Sequence, residues 1–141
     1  MNQHPNSASR EACIKFMYQC EVDQIFYYSE PHFNSFCTYF NIDQEIRPVF
    51  KKFTIGTYNN LEKINALIEA HAKNWKIDRI AITDKIVIRL ACFELMNDKT
   101  SKKIIINEAI EMAKTYGNEN SGAFVNGILD NIAISIAKLD S

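Results

Sequence analysis

The stretch FVNGILD, residues Phe124 to Asp130, decides how the chain is read. Asn126 and Gly127 between two strands would be a strong hairpin signal, because both residues tolerate positive φ. The flanks rule against strands. Val125, Ile128, Leu129, Ile132 and Ile136 are spaced three and four apart, the period of one helix face rather than the alternation of a strand. The stretch is therefore expected to be helical. A glycine inside a helix costs roughly 1 kcal/mol against alanine, so Gly127 is expected to let another backbone or a ligand come close.

Working outward, "DKIVIRLACFELM" from Asp84 is apolar on nearly all sides, the pattern of a helix surrounded by other helices. "KKIIINEAIEMAKTYG" supplies another helix through Ile105, Ala109, Met112 and Tyr116, with Gly117 placed to end it. "NENS" then offers caps for a last helix reaching about Leu139. Upstream, Ser7 or Ser9 is expected to cap a first helix to about Val22, with Cys13, Phe16, Met17 and Cys20 on its apolar face and Arg10, Lys15 and Tyr18 opposite. A short second helix is expected from Pro31 to Phe40. A long third runs from Arg47 to about Asn74, with Gly56 as its weak point and Trp75 closing it. No segment has a strand pattern, so the fold class is all-α. Residues 1–8 read as a flexible polar arm and 9–141 as one helical domain.

Composition is that of an ordinary globular domain, with 47% hydrophobic and 23% charged residues. A formal net charge of -1 gives no global pull toward nucleic acid or an anionic membrane, so any such binding must use a local patch. Cys13, Cys20, Cys37 and Cys92 form no C-x-x-C pair and have no histidine at a metal-binding interval. Cys13 and Cys20 on one helix would stand about 10 Å apart, too far for a disulfide. All four are expected to be reduced core residues, with no metal. The polar amino terminus has no apolar run and no stretch of 18 apolar residues exists, which points to a cytoplasmic protein. Phosphate-cradling glycine loops are absent, and His4, His32 and His71 have no evident nucleophile beside them. The reading is noncatalytic, with no cofactor or small-molecule substrate.

"DRIAITDKIVIRLACFEL" and "IINEAIEMAKTYGNENSGAFVNGILD", together with "SREACIKFMYQCE", resemble the NusB family of bacterial transcription antitermination factors. The resemblance implies about seven helices in two packed three-helix bundles. It also implies an RNA-binding adaptor of the transcription elongation complex that pairs with ribosomal protein NusE and binds boxA RNA of ribosomal RNA transcripts.

On that resemblance, Arg10, Lys15, Tyr18, Phe124 and Asn126 are the RNA candidates, since single strands are held by aromatic stacking and by cations on phosphates. Tyr18 and Phe124 also fit plain packing. Asp84 is the partner-binding candidate, and its place in the first turn of a helix is favourable in its own right. Arg89 and Glu108 fit an internal pair. The sequence departs from the family pattern where the arm before Arg10 lacks an arginine cluster, where Asn120 stands at a commonly acidic position, and where "DKTSKK" lacks a proline. Lys99, Lys102 and Lys103 could make up some of the missing charge. Two rivals follow: a protein-only helical adaptor with weak RNA affinity, and a separated NusB-like domain of a ribosomal RNA cytosine methyltransferase.

Overall fold

The computed structural model describes residues 6–72, 76–97 and 100–139. Among these are seven α-helices and no strand. The chain divides into two compact units, residues 1–59 and 60–141.

The first unit holds α1 (Ser7–Asp23), α2 (Glu30–Tyr39) and α3 (Arg47–Asn59), with a short 3₁₀ turn at Gln44–Ile46 leading into α3. Asn6, not Ser7 or Ser9, occupies the cap position of α1. The Ser9 hydroxyl instead donates to the Ile46 carbonyl at 3.1 Å and ties α1 to the α3 entry. Gln24 ends α1 in the left-handed region, its N–H reaching back to the Cys20 and Glu21 carbonyls. The core is aromatic. Phe16 sends its ring against Phe33, Phe36 and Phe50, which come from α2 and α3. Pro31 fits the first turn of α2, where a missing N–H is harmless.

The second unit holds α4 (Leu61–His71), a 3₁₀ turn at Ile77–Arg79, α5 (Ile82–Asn97), α6 (Lys102–Tyr116) and α7 (Ser121–Leu139). Every residue of α5 from Asp84 to Leu95 is buried, as its all-round apolar pattern requires. It packs on α4, α6 and α7. Arg89 donates from Nε to Asn65 Oδ1 at 3.0 Å, tying α5 to α4 through a partner the sequence did not suggest. Cys92 lies at the centre of α5, and burial pushes its thiol up to about 12. All four cysteines are buried and none is in a disulfide, as expected.

Two helix expectations need correction. The long third helix is two, α3 and α4, broken at Asn60, while Gly56 lies within α3. Paired Asn59 and Asn60 interrupt it because short polar side chains compete for backbone hydrogen bonds and favour helix ends. Trp75, the expected close, lies outside the described residues.

Gly127 was expected at a close helix contact, but it is exposed and a Cβ built there meets nothing within 4 Å. The close approach on α7 is made instead by Gly122, whose Cβ would sit 3.2 Å from Lys114 side-chain carbons on α6. The helical period put Gly127 beside Ile128, but one residue is about 100° of helix, enough to turn it to solvent. Gly127→Ala is therefore expected to stabilise the fold by about 0.4–1 kcal/mol. Thermal denaturation would register this as a raised Tm, whereas a lowered Tm would mean that this surface is covered.

Candidate functional site

A concavity in the second unit forms where the entry to α5 meets the α6–α7 connection. On one side, Arg79 N–H bonds to the Lys76 carbonyl at 2.9 Å, closing the 3₁₀ turn, and Lys85 N–H reaches the Ala81 carbonyl at 2.9 Å as α5 begins. This sets Arg79, Ile80 and Asp84 along one wall.

The opposite wall is built by a tightly bonded connection. Gly117 N–H reaches the Ala113 carbonyl at 2.9 Å and ends α6. Asn118 N–H donates to Ser121 Oγ at 3.0 Å, and Asn120 N–H donates to Asn118 Oδ1 at 2.8 Å. Such side-chain bonds to nearby backbone are what make Asn and Ser effective at helix entries. Asn118, Asn120 and Phe124 thereby face the α5 entry across a pocket of about 300 Å³.

Asp84 is 6% exposed, and its Oδ1 has no hydrogen-bond partner among the described residues. It is thus a carboxylate at the wall of a pocket and not a charge on an open surface. Phe124 is half-buried at the same pocket. The two residues that the sequence had given to different ligands are brought to one place. Asn126 is exposed on α7 but two residues from Phe124, a spacing that puts the two side chains on different faces.

In the first unit, Lys15 and Tyr18 are exposed and three residues apart on α1, hence on one face. Arg10 is not with them. It is 1% exposed, with its guanidinium carbon 5.6 Å from the centre of the Phe53 ring. Its position explains the correction: Arg10 precedes Cys13, Ile14 and Met17 by three, four and seven residues, which is the buried stripe of α1. Its charge had outweighed its period in the sequence reading. Arg79 and Asn118 were missed as site residues, and Asn120 was noted only as a departure. For the two asparagines the available signal was the turn chemistry of "GNENS"; Arg79, in the 3₁₀ turn before α5, carried no such local signal. Lys102 and Lys103 are exposed at the start of α6, while Lys99 lies outside the described residues. Among the described residues no group of His, Cys, Asp and Glu could hold a metal ion, and no helix is long and apolar enough to cross a membrane.

Comparison with known proteins adds the following. The NusB family model matches residues 7–134. A transcription antitermination protein NusB of Anaeromyxobacter dehalogenans is 42% identical over 92 residues, a stretch spanning 65% of this chain and 65% of that relative. The solved T. maritima NusB is 34% identical, covers 94% of this chain and 93% of its own, and superposes with a TM-score of 0.81. A crystal structure of the antitermination factors NusB and NusE in complex with double-stranded RNA shares the fold, with a TM-score of 0.80 at 22% identity over 92% of this chain and 96% of that one.

Proposed function

Because this chain belongs to the NusB family of transcription antitermination proteins, which are non-enzymatic, we propose that it is an adaptor joining ribosomal protein NusE to boxA-type single-stranded RNA of ribosomal RNA transcripts in the elongation complex. The observation that carries this reading is the family match across residues 7–134. The structure adds support in kind: exposed Lys15 offers a cation for phosphate, exposed Tyr18 and half-buried Phe124 offer rings for bases, and exposed Asn126 offers an amide for hydrogen bonds. Arg10, being buried, packs its guanidinium over the Phe53 ring within the first unit. Asp84, given to NusE by the resemblance, shares its pocket with Phe124, so its ligand adjoins the RNA-binding ring.

Phe124→Ala is expected to weaken binding of a boxA oligonucleotide by about 1–3 kcal/mol, the usual worth of one stacked base. Fluorescence anisotropy with the chain alone and with purified NusE would measure it. Normal RNA binding by a variant that melts much earlier would make Phe124 a packing residue and remove it from the RNA set.

Burial of Arg10 favours a second reading, in which the chain holds NusE but has little RNA affinity by itself. Each cation absent from the RNA face lowers the log-log salt slope of single-strand binding by about 0.7. RNA bound only in the presence of NusE, with a shallow salt slope, would select this version. RNA bound under neither condition would overturn the RNA half of the proposal.

A further inference from the structure

The carboxyl end of α2 carries an aromatic surface that the first unit leaves uncovered. Tyr39 is 83% exposed and Phe40 50%, and their ring centres lie 4.9 Å apart. Phe40 in turn rests on Phe36 of the buried ring cluster at 4.6 Å, so the pair is anchored from below. The chain that follows is held in place. Asn41 takes a left-handed turn, Ile42 N–H reaches the Cys37 carbonyl at 2.9 Å, and Arg47 donates to the Ile42 carbonyl from Nε at 2.9 Å and from Nη2 at 2.6 Å. The rings have negative surroundings. Asp43 and Glu45 are exposed on the connection to α3 and form no ion pair among the described residues. Asp43 follows Phe40 by three residues, which keeps their Cα atoms within about 11 Å. The last turn of α2 has no basic residue to offset the negative end of its dipole.

We propose that this aromatic ledge docks an arginine-bearing basic segment of a protein partner, a contact beyond the adaptor reading that shares no residue with its RNA and NusE candidates. A guanidinium lies over the exposed face of Tyr39 or Phe40, where the ring quadrupole attracts a cation. Asp43 and Glu45 meet the neighbouring cations of the segment. Arginine suits the rings better than lysine, because its planar group stacks on them and is more weakly hydrated. Charge decides among the possible occupants. A strand of RNA could stack its bases on the same rings, but its phosphates would be set against two carboxylates and the negative end of a helix. A second copy, placed by a twofold axis, would bring the same acids to the contact and set like charges together.

The test is a titration of the full ¹⁵N-labelled chain with the peptide acetyl-Gly-Arg-Gly-Arg-Gly-amide, and with the same peptide carrying citrulline for arginine as its uncharged isostere. The arginine peptide is expected to shift the amide signals of Tyr39, Phe40, Asn41 and Asp43. It should bind about tenfold more tightly than the citrulline peptide, with the difference shrinking at high salt. Tyr39→Ala, at a position too exposed for the fold to depend on it, should lower the affinity about two- to fivefold, while Tyr39→Phe retains it. Asp43→Asn combined with Glu45→Gln should lower it as well. No shift at those amides, equal binding of the two peptides, or a Tyr39→Phe variant as weak as Tyr39→Ala would overturn the proposal. So would a loss confined to the acid variants with Tyr39→Ala unchanged, because general charge attraction would then account for binding. Stronger shifts of the same signals by octauridylate would give the ledge to RNA, and a dimer in sedimentation that Tyr39→Ala dissolves would give it to a second copy; either result overturns the proposal. If binding of boxA RNA and NusE fails, the adaptor reading falls and this proposal stands, since none of its measurements uses either ligand.

Discussion

Phe16→Ala is expected to destabilise the first unit by about 3–5 kcal/mol, the range for removing a large aromatic from a filled core. Phe16 is 1% exposed, so truncation removes burial and leaves a cavity. Its ring lies 4.9 Å from those of His32 and Phe36, 5.7 Å from Phe50 and 5.9 Å from Phe33, centre to centre. Aromatic pairs at such distances contribute about 0.5–1.5 kcal/mol each beyond the area they bury. The loss is a large part of the 5–15 kcal/mol that holds a typical domain together. Urea denaturation followed by far-ultraviolet circular dichroism would show it as a lower midpoint. A change below about 1 kcal/mol would mean that the ring cluster of α1, α2 and α3 does not form.

Gly117→Ala is expected to cost the second unit about 2–4 kcal/mol, although the change adds a single methyl group. A Cβ at this position would come 2.3 Å from Ser121 Oγ and 2.7 Å from the Ala113 carbonyl oxygen. The φ of Gly117 is -101°, open to any residue, so glycine is required for space and not for its backbone freedom. Ser121 cannot turn away freely, because its hydroxyl accepts from Asn118 N–H. Overpacking against main chain, about 1–3 kcal/mol, is therefore joined by a lost hydrogen bond of about 1 kcal/mol. Calorimetry would record a lower Tm, with Gly127→Ala as the control expected to move the other way. A Gly117→Ala variant as stable as the parent would show that the α6–α7 connection relaxes without loss.

The helices were legible because their information is local and periodic. The burial of α5 could be read from its lack of a polar face, and the end of α6 from Gly117. What was lost depended on which neighbour lies beside a given face. Gly127 is a good example: period shows that it belongs to a helix, while only the packing of α7 on α6 shows that Gly122 is the crowded one. Arg10 failed in the opposite way, since its place on the buried stripe was visible and its charge argued for the surface. An arginine resolves that conflict by lying over Phe53, which sequence alone does not place opposite it. In the site, Asp84 and Phe124 were both singled out, each for a different ligand. Their shared pocket depends on the α5 entry and the α6–α7 connection meeting, a long-range fact without a local signal.

The four buried thiols, none of them in a disulfide, make this chain its own reporter of local opening. An alkylating reagent attacks a thiolate that meets solvent, so a cysteine enclosed in the native fold reacts only during a transient breach of the structure around it. Cys13, Cys20 and Cys37 belong to the first unit and Cys92 to the second. Their separate reaction clocks would therefore distinguish breathing of the aromatic core from breathing around α5, without introducing a probe residue.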